Sequence, residues 1–190
     1  MSQLTLTQVE EIAATKETDW GRLCKLGGIV AWIQLACLLL MMIYVPLVGW
    51  LPTTAEAYYT TLQNDGLVGI LRLDLATLIL VSLFPFVSVG LYAAFRRSRP
   101  AYALLALVMI LTGTLLALVN ESAFSMMYLS DLQAAATTAA QQEQLLTAGE
   151  AVIAGNMWNS TAGFLAGIFM QGGFVFISFV MLRDKRFSRF

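Results

Sequence analysis

The chain has 190 residues, of which 58% are hydrophobic and only 12% charged, whereas a soluble domain usually carries about 25% charged residues. Its formal net charge is −1 and it contains no histidine, so there is no global basic field for nucleic acid, and the commonest zinc or haem ligand is missing. The apolar residues fall in long runs, which predicts an integral membrane protein with the lipid bilayer as its main partner.

Residues 1–25 form a polar segment ahead of the first apolar run. They include Glu10, Glu11, Glu17 and Asp19 and contain no evident cleavable signal sequence, so we expect the first span to be retained as an anchor. Two interpretations of a helix in this segment stay open. It is either a partner-docking or membrane-surface helix or, as we favour, a helical lead-in to the first span.

Four apolar segments are long enough to cross about 30 Å of hydrocarbon, which takes about 20 helical residues. They predict a transmembrane domain over residues 26–182, with spans at about 26–50, 70–95, 101–125 and 160–182. Pro85 has no backbone N–H to donate and is expected to kink the second span.

One connection between spans carries a helix signal of its own. Thr138 and Gln141 have the spacing of a capping box, and Leu145, Leu146 and Val152 follow at helical intervals. This pattern predicts an amphipathic outer helix at about 138–154, which lies on the bilayer surface or packs on the helix ends. The predicted fold is therefore an all-α polytopic membrane protein, a four-helix transmembrane bundle with an amphipathic outer helix.

The basic residues predict the orientation of the chain. Ten of the eleven lie in three patches that precede span one, join spans two and three, and follow span four, and Arg72 stands alone. Because positive loops stay on the cytoplasmic side, both termini are predicted to be cytoplasmic, with residues 1–25 as a cytoplasmic segment and 183–190 as a basic cytoplasmic tail. The patches are Lys16, Arg22 and Lys25; Arg96, Arg97 and Arg99; and Arg183, Lys185, Arg186 and Arg189.

Several polar residues are predicted to form one layer at the outer membrane boundary. At about 1.5 Å of helical rise per residue, they lie roughly 30–35 Å from the cytoplasmic helix ends or close to that level. In one interpretation Arg72 pairs with Glu121 or Asp74 in a pocket that binds a ligand. In the other, which we favour, the layer is a structural ion-pair or interface network at the headgroups. Its members are Arg72, Asp74, Asn120, Glu121, Asn156 and Asn159.

A second group of residues is predicted to serve helix packing. Small residues in an apolar helix allow close approach to another helix, either within the bundle or in another subunit, and glutamines can hydrogen-bond across helices. The pattern does not separate these two uses. The residues are Gly163, Gly167, Gly172, Gly173, Gln34 and Gln171.

The chemistry missing from the sequence argues against an enzyme. Cys24 and Cys37 form no CxxC pair, and there is no P-loop, GxSxG or histidine cluster. Asp74 and Glu121 are too close to the membrane edge to act as a mid-membrane proton carrier. We therefore predict no catalytic residues, no cofactor and no metal.

The C-terminal half resembles a family of uncharacterised bacterial integral membrane proteins, known as a domain of unknown function. The resemblance covers roughly residues 101–190 and implies a bacterial plasma membrane, with no catalytic residues to transfer. It rests on residues 120–125 (NESAFS), 129–137 (LSDLQAAAT), 145–151 (LLTAGEA) and 181–189 (MLRDKRFSR).

Two functional hypotheses follow. The first is an accessory or structural membrane protein that associates with other membrane subunits, or with copies of itself, through helix packing. The second is a small-molecule binding or transport protein that uses the outer polar layer. Convergence of Arg72, Glu121 and Asn159 on a cavity would favour the second, and outward-facing glycines on span four would favour the first.

Overall fold

A computed structural model describes residues 6–49, 52–64, 69 and 75–183, and within them every regular element is helical. Four helical segments are long and apolar enough to cross a membrane, which confirms the predicted all-α membrane fold with four spans. The helices are α1 (Leu6–Val48), α2 (Ala55–Asn64), α3 (Ala76–Ser82), α4 (Phe84–Phe95), α5 (Pro100–Val119), α6 (Ala123–Ala135), α7 (Ala139–Gly155) and α8 (Thr161–Leu182).

Helix α1 contains both the lead-in segment and the first span. It runs for 43 residues without interruption, about 65 Å at 1.5 Å per residue, roughly twice the thickness of the hydrocarbon core. Its end is marked by Gly49, which adopts a positive φ of 97° and donates its backbone N–H to Val45 O at 2.9 Å. A helical lead-in that continues directly into the first span is therefore the arrangement found.

The second span is broken where Pro85 predicted a kink. Helix α3 ends at Ser82, Leu83 forms the junction, and α4 begins at Phe84. Since Pro85 lacks an N–H, it cannot donate the usual helical hydrogen bond to Val81 O. At the junction the Leu83 N–H bonds to Leu80 O at 3.3 Å, and Gln34 of α1 also donates its Nε2 to Leu80 O, at 3.2 Å. Residues 70–74 of the predicted span lie outside the described residues.

The helix of the third span is broken within the predicted 101–125, inside a candidate span that runs from Pro100 to Ala135. Helix α5 ends at Val119, and α6 begins only at Ala123. The break between them is stabilised by side chains that bond to the backbone, described below. Twenty residues in α5 correspond to about 30 Å, so this helix alone matches the hydrocarbon thickness.

The spans pack as successive neighbours. Helix α1 packs on α4, α4 on α5, and α5 on α8, and the most extensive interface is that between α5 and α8. Its buried positions are mainly small or β-branched, which allows the helix axes to approach closely. They are Ala103, Ala106, Ile110, Gly113, Thr114 and Ala117 on α5, and Ala166, Gly173, Ile177 and Val180 on α8.

Helices α2, α6 and α7 form a separate cap with its own core. Tyr58, Tyr59 and Met126 are almost completely buried in it. Helix α7 confirms the predicted outer helix, including the capping box between Thr138 and Gln141, and it packs on α2 and α6. Helix α2 was not predicted, because ten residues between two apolar runs give too short a periodic signal.

Two hydrogen bonds connect α2 to α7. The Tyr59 hydroxyl donates to Leu145 O at 2.9 Å, and the Ala55 backbone N–H donates to Glu150 Oε1 at 2.7 Å. Gly149 leaves room for this contact, because a Cβ at that position would collide with the Tyr59 hydroxyl and lie 2.7 Å from Ala55 Cβ. The cap is therefore a tertiary unit in which α7 is attached to α2.

The buried Tyr59 phenol predicts a loss of stability at alkaline pH. Burial raises its pKa above the usual 10.0, and the Glu150 carboxylate raises it further. The folded protein thus holds this proton more tightly than the unfolded chain, so the stabilisation is complete below about pH 10 and is lost as pH rises through the folded pKa. We expect Tyr59→Phe to remove this alkaline component while costing about 1 kcal/mol at neutral pH through the lost hydrogen bond.

Thermal unfolding of detergent-solubilised protein, measured between about pH 8 and pH 11, checks this expectation. Tyr128→Phe is the matched control, because Tyr128 lies in the same cap on α6 with 64% of its surface exposed. Equal alkaline slopes for wild type and Tyr59→Phe would show that Tyr59 does not carry the effect.

Candidate functional site

The first part of the predicted polar layer forms the break between α5 and α6. Asn120 donates its side-chain amide to Leu116 O at 2.8 Å, which covers a carbonyl in the last turn of α5. Glu121 Oε1 accepts the backbone N–H groups of Ser122 at 3.0 Å and Ala123 at 3.3 Å. A carboxylate at a helix start satisfies free N–H groups and opposes the positive end of the helix dipole. These two side chains therefore end one helix and start the next.

The second part lies in the turn between α7 and α8. Asn156 is 5% exposed, and its Oδ1 accepts the backbone N–H groups of Trp158 at 2.9 Å and Asn159 at 3.1 Å. The Asn159 side-chain amide donates to Ile153 O at 3.0 Å, in the last turn of α7. Ser160 then caps α8 by accepting the N–H of Gly163 at 3.0 Å. The turn combines these side-chain to backbone bonds with backbone bonds from the Asn159 and Ser160 N–H groups to Asn156 O, at 3.3 and 3.0 Å.

One backbone hydrogen bond connects these two parts. The Met157 N–H donates to Asn120 O at 2.9 Å, and the Met157 side chain packs on a buried cluster that includes Val81, Ala117 and Ala166. The cap is thereby attached to the ends of spans two, three and four. Close by, the Ser122 hydroxyl is buried and has no hydrogen-bond partner among the described residues.

Arg72 and Asp74 lie outside the described residues. Pairing of Arg72 with Glu121 or Asp74 therefore stays a prediction. Of the predicted layer, the structure brings together Asn120, Asn156 and Asn159 through the Met157 bond, with Glu121 at the start of α6. These side chains satisfy backbone groups at helix ends and in the turn that follows α7. Within the described part of the chain, no three Cys, His, Asp or Glu residues cluster to hold a metal ion.

The predicted packing glycines have different environments along α8. Gly173 faces α5, where an added Cβ would lie 2.7 Å from Ile110 Cγ1. A Cβ added to Gly172 would meet Met109 Cε at 3.4 Å, an ordinary van der Waals contact. Gly163 lies against the Met157 backbone, which a Cβ would strike. Gly167 faces outward, with nothing within 4 Å of an added Cβ. Packing inside the bundle thus occupies part of the predicted small-residue face but not Gly167.

The two predicted glutamines have different environments. Gln34 makes the cross-helix bond to Leu80 O that its position predicted. Gln171 is exposed on α8 and has no hydrogen bond to the described residues. Of these two glutamines, only Gln34 connects helices within the described part of the chain.

Three close contacts were missed at the sequence level. The backbones of Gly27 and Gly90 pass so closely that a Cβ on either would lie 2.6 Å from the other's Cα. Gly113 on α5 meets the backbone of Met170 on α8. Glycines inside apolar runs were the available signal, but their partners lie in distant segments.

A third contact joins α1 to α4 near their polar ends. The Arg96 guanidinium carbon lies 4.1 Å from the centroid of the Trp20 ring, and Trp20 also meets the Tyr92 ring edge-on at 6.1 Å. A cation over an indole face is an attractive contact. Arg96 therefore contacts Trp20 within the protein, and it also belongs to the basic patch that predicts the membrane orientation of the chain.

No family model, curated protein or solved structure matches this chain. The resemblance of residues 101–190 to a bacterial membrane family thus stays a prediction.

The α5–α8 contact predicts a strong difference between two Gly→Ala variants. Gly113→Ala places a methyl group 2.7 Å from Ala166 O and 2.8 Å from Met170 Cα, so the helices must move apart. We expect a loss of about 1–3 kcal/mol, the usual cost of overpacking. Gly167→Ala is the matched control, because it makes the same change in open space.

Unfolding of both variants by titration with sodium dodecyl sulfate in mixed micelles, followed by circular dichroism, gives the comparison. A Gly113→Ala protein as stable as Gly167→Ala would contradict the close approach of α5 and α8.

Proposed function

We propose that this protein is an accessory or structural membrane protein, not an enzyme, that associates with other membrane subunits, or with copies of itself, through the outward face of α8. The observation that carries the proposal is the position of Gln171. It lies ten residues after Thr161 and eleven before Leu182, about 15 Å from either end of the helix. Its carboxamide would therefore meet the middle of the hydrocarbon.

An exposed carboxamide at that depth is energetically costly. Moving such a group from water into an alkane without a hydrogen-bond partner costs about 4–8 kcal/mol. The corresponding group of Gln34 avoids this cost by bonding to Leu80 O. Since Gln171 has no such bond to the described residues, a polar group on a neighbouring chain is the natural partner.

The residues around Gln171 suit close approach of another helix. Gly167, Gln171 and Ser178 fall within about 40° of one another around an ideal helix, and we name them the outer stripe. Gly167 has open space where a Cβ would be, and the Ser178 hydroxyl is satisfied by Phe174 O at 2.8 Å. Small residues beside one strong hydrogen-bonding group are typical of helix interfaces in membranes.

The transport hypothesis has weaker support. The side chains of Asn120, Asn156 and Asn159 are engaged in helix ends and turns, which leaves them little capacity to bind a substrate. A transport site would depend mainly on Arg72 and Asp74, which lie outside the described residues.

We further propose a bacterial plasma membrane with both termini cytoplasmic. The described arginines near helix ends, Arg96, Arg97, Arg99 and Arg183, belong to the connection between spans two and three and to the end of span four. The positive-inside rule assigns such ends to the cytoplasm. The family resemblance supports the bacterial origin.

Photocrosslinking in native membranes tests the association. Benzoylphenylalanine replaces Phe164, which lies about 20° from Gln171 around the helix, or Leu165, which lies about 120° away; both side chains are exposed. We expect a discrete adduct from position 164 and none from 165. The mass of the adduct distinguishes a second copy from another subunit.

Adding Gln171→Leu to the position-164 variant should lower the adduct yield about three- to thirtyfold, the effect of one interhelical hydrogen bond worth about 0.6–2 kcal/mol. The same substitution should leave thermal stability in detergent unchanged, because Gln171 has no described partner in the chain. An adduct of equal yield with and without Gln171→Leu, or no adduct at position 164, would overturn the proposal.

A further inference from the structure

At the basic end of the bundle, α5 begins beside the point where α8 ends. Arg99 is the residue immediately before α5, and Arg183 is the residue immediately after α8. Both arginines line one cavity of about 250 Å³ between the two helices. The remaining lining residues are Tyr102, Phe176, Phe179 and Val180.

The two guanidinium groups give this cavity a positive charge that the described residues do not neutralise. Within those residues the ion pair lies elsewhere, between Arg22 and Asp19 at 3.6 Å, and neither Arg99 nor Arg183 meets a carboxylate. The positive end of the α5 dipole lies beside the negative end of the α8 dipole, so the two helix ends largely offset each other and the guanidinium groups carry the charge of the site. An anion is the complementary ligand, and arginine pairs well with phosphate oxygens.

The walls below the arginines are apolar. The Tyr102 and Phe176 rings lie 5.9 Å apart, and Phe179 is 61% exposed on the outside of α8. Because α5 is about 30 Å long and matches the hydrocarbon thickness, the arginines fall at the headgroup level and Phe179 falls among the acyl chains. A ligand here must therefore be anionic at one end and apolar at the other.

We propose that this cavity binds the phosphate headgroup of an anionic phospholipid, with Arg99 and Arg183 pairing with the phosphate oxygens and an acyl chain lying along Phe179 and Tyr102. The apolar walls favour a lipid over a free phosphate ion, which would gain nothing from the aromatic rings. Basic pockets between transmembrane helices are suited to such headgroups. The site is on a different side of α8 from the outer stripe, since Phe179 lies about 80° from Gln171 and Arg183 about 120°.

Native mass spectrometry of the protein released from nanodiscs provides the test. The nanodiscs contain phosphatidylcholine with one-fifth phosphatidylglycerol, and the number of retained phosphatidylglycerol molecules is counted. The wild type should retain one. The double variant Arg99→Gln with Arg183→Gln should lower retention at least tenfold, and Phe179→Ala, which keeps both charges, should lower it severalfold.

Arg97→Gln is the matched control, because Arg97 lies in the same connection between α4 and α5 but does not line the cavity. It should retain the lipid as the wild type does. Equal loss in Arg97→Gln and in the double variant would show attraction by overall charge and would overturn the proposal.

Two further arms separate the possible ligands and check folding. Competition with millimolar inorganic phosphate or glycerol phosphate should leave the lipid bound, and displacement by either would make a soluble anion the ligand and sink the lipid assignment. Circular dichroism of each variant should show unchanged helix content, because Arg99, Arg183 and Phe179 are all exposed. If Phe179→Ala also retains the lipid fully, the apolar wall has no role and the proposal fails.

Discussion

The close approach of α5 and α8 is the contact on which the other features of this protein depend. At Gly113 the backbone of Met170 lies where a Cβ would otherwise be, so the two helices meet nearly backbone to backbone. This antiparallel contact fixes the level of both helix ends. At one end Asn120 O accepts the Met157 N–H, and at the other Arg99 and Arg183 come to the same cavity. The α5–α8 contact also determines which face of α8 points away from the other helices of the bundle.

Hydrocarbon cannot replace a missing hydrogen bond, and this constraint explains the irregular positions in the bundle. Where Pro85 interrupts the second span, Leu80 O accepts both the Leu83 N–H and the Gln34 side-chain amide. Where the third span ends, Asn120 and Glu121 satisfy the exposed carbonyl and N–H groups. Gln171 is a described amide in a span that has no such partner, which is why the proposed association is placed there.

The cap and the polar layer form one continuous piece of structure. The asparagines that looked like ligand groups end helices and shape the turn into α8. The Met157 side chain then packs against the cluster of Val81, Ala117 and Ala166 and so attaches the cap to the spans. The described members of the layer thus satisfy backbone groups where the chain leaves one helix and enters the next.

Local signals in the sequence determined the number of spans and the all-helical class. Runs of about 20 apolar residues define a span whatever its neighbours, Pro85 breaks a helix by its own chemistry, and the Thr138–Gln141 capping box marks the start of α7 within four residues. The lead-in of α1 and the outer helix were predictable for the same reason.

Only the tertiary structure decided which face of each helix is inside. Gly167 and Gly173 are both glycines within the apolar run of α8, so hydropathy does not distinguish them. In the structure Gly173 packs on Ile110 and Gly167 faces outward. Gln34 and Gln171 are likewise both single amides in apolar helices, and only Gln34 meets a carbonyl. Helix α2 is likewise attached to α7 by the Tyr59 hydroxyl, which donates to Leu145 O, a carbonyl 86 residues away along the chain. These outcomes depend on contacts between distant segments, and hydropathy and capping patterns report only on neighbours along the chain.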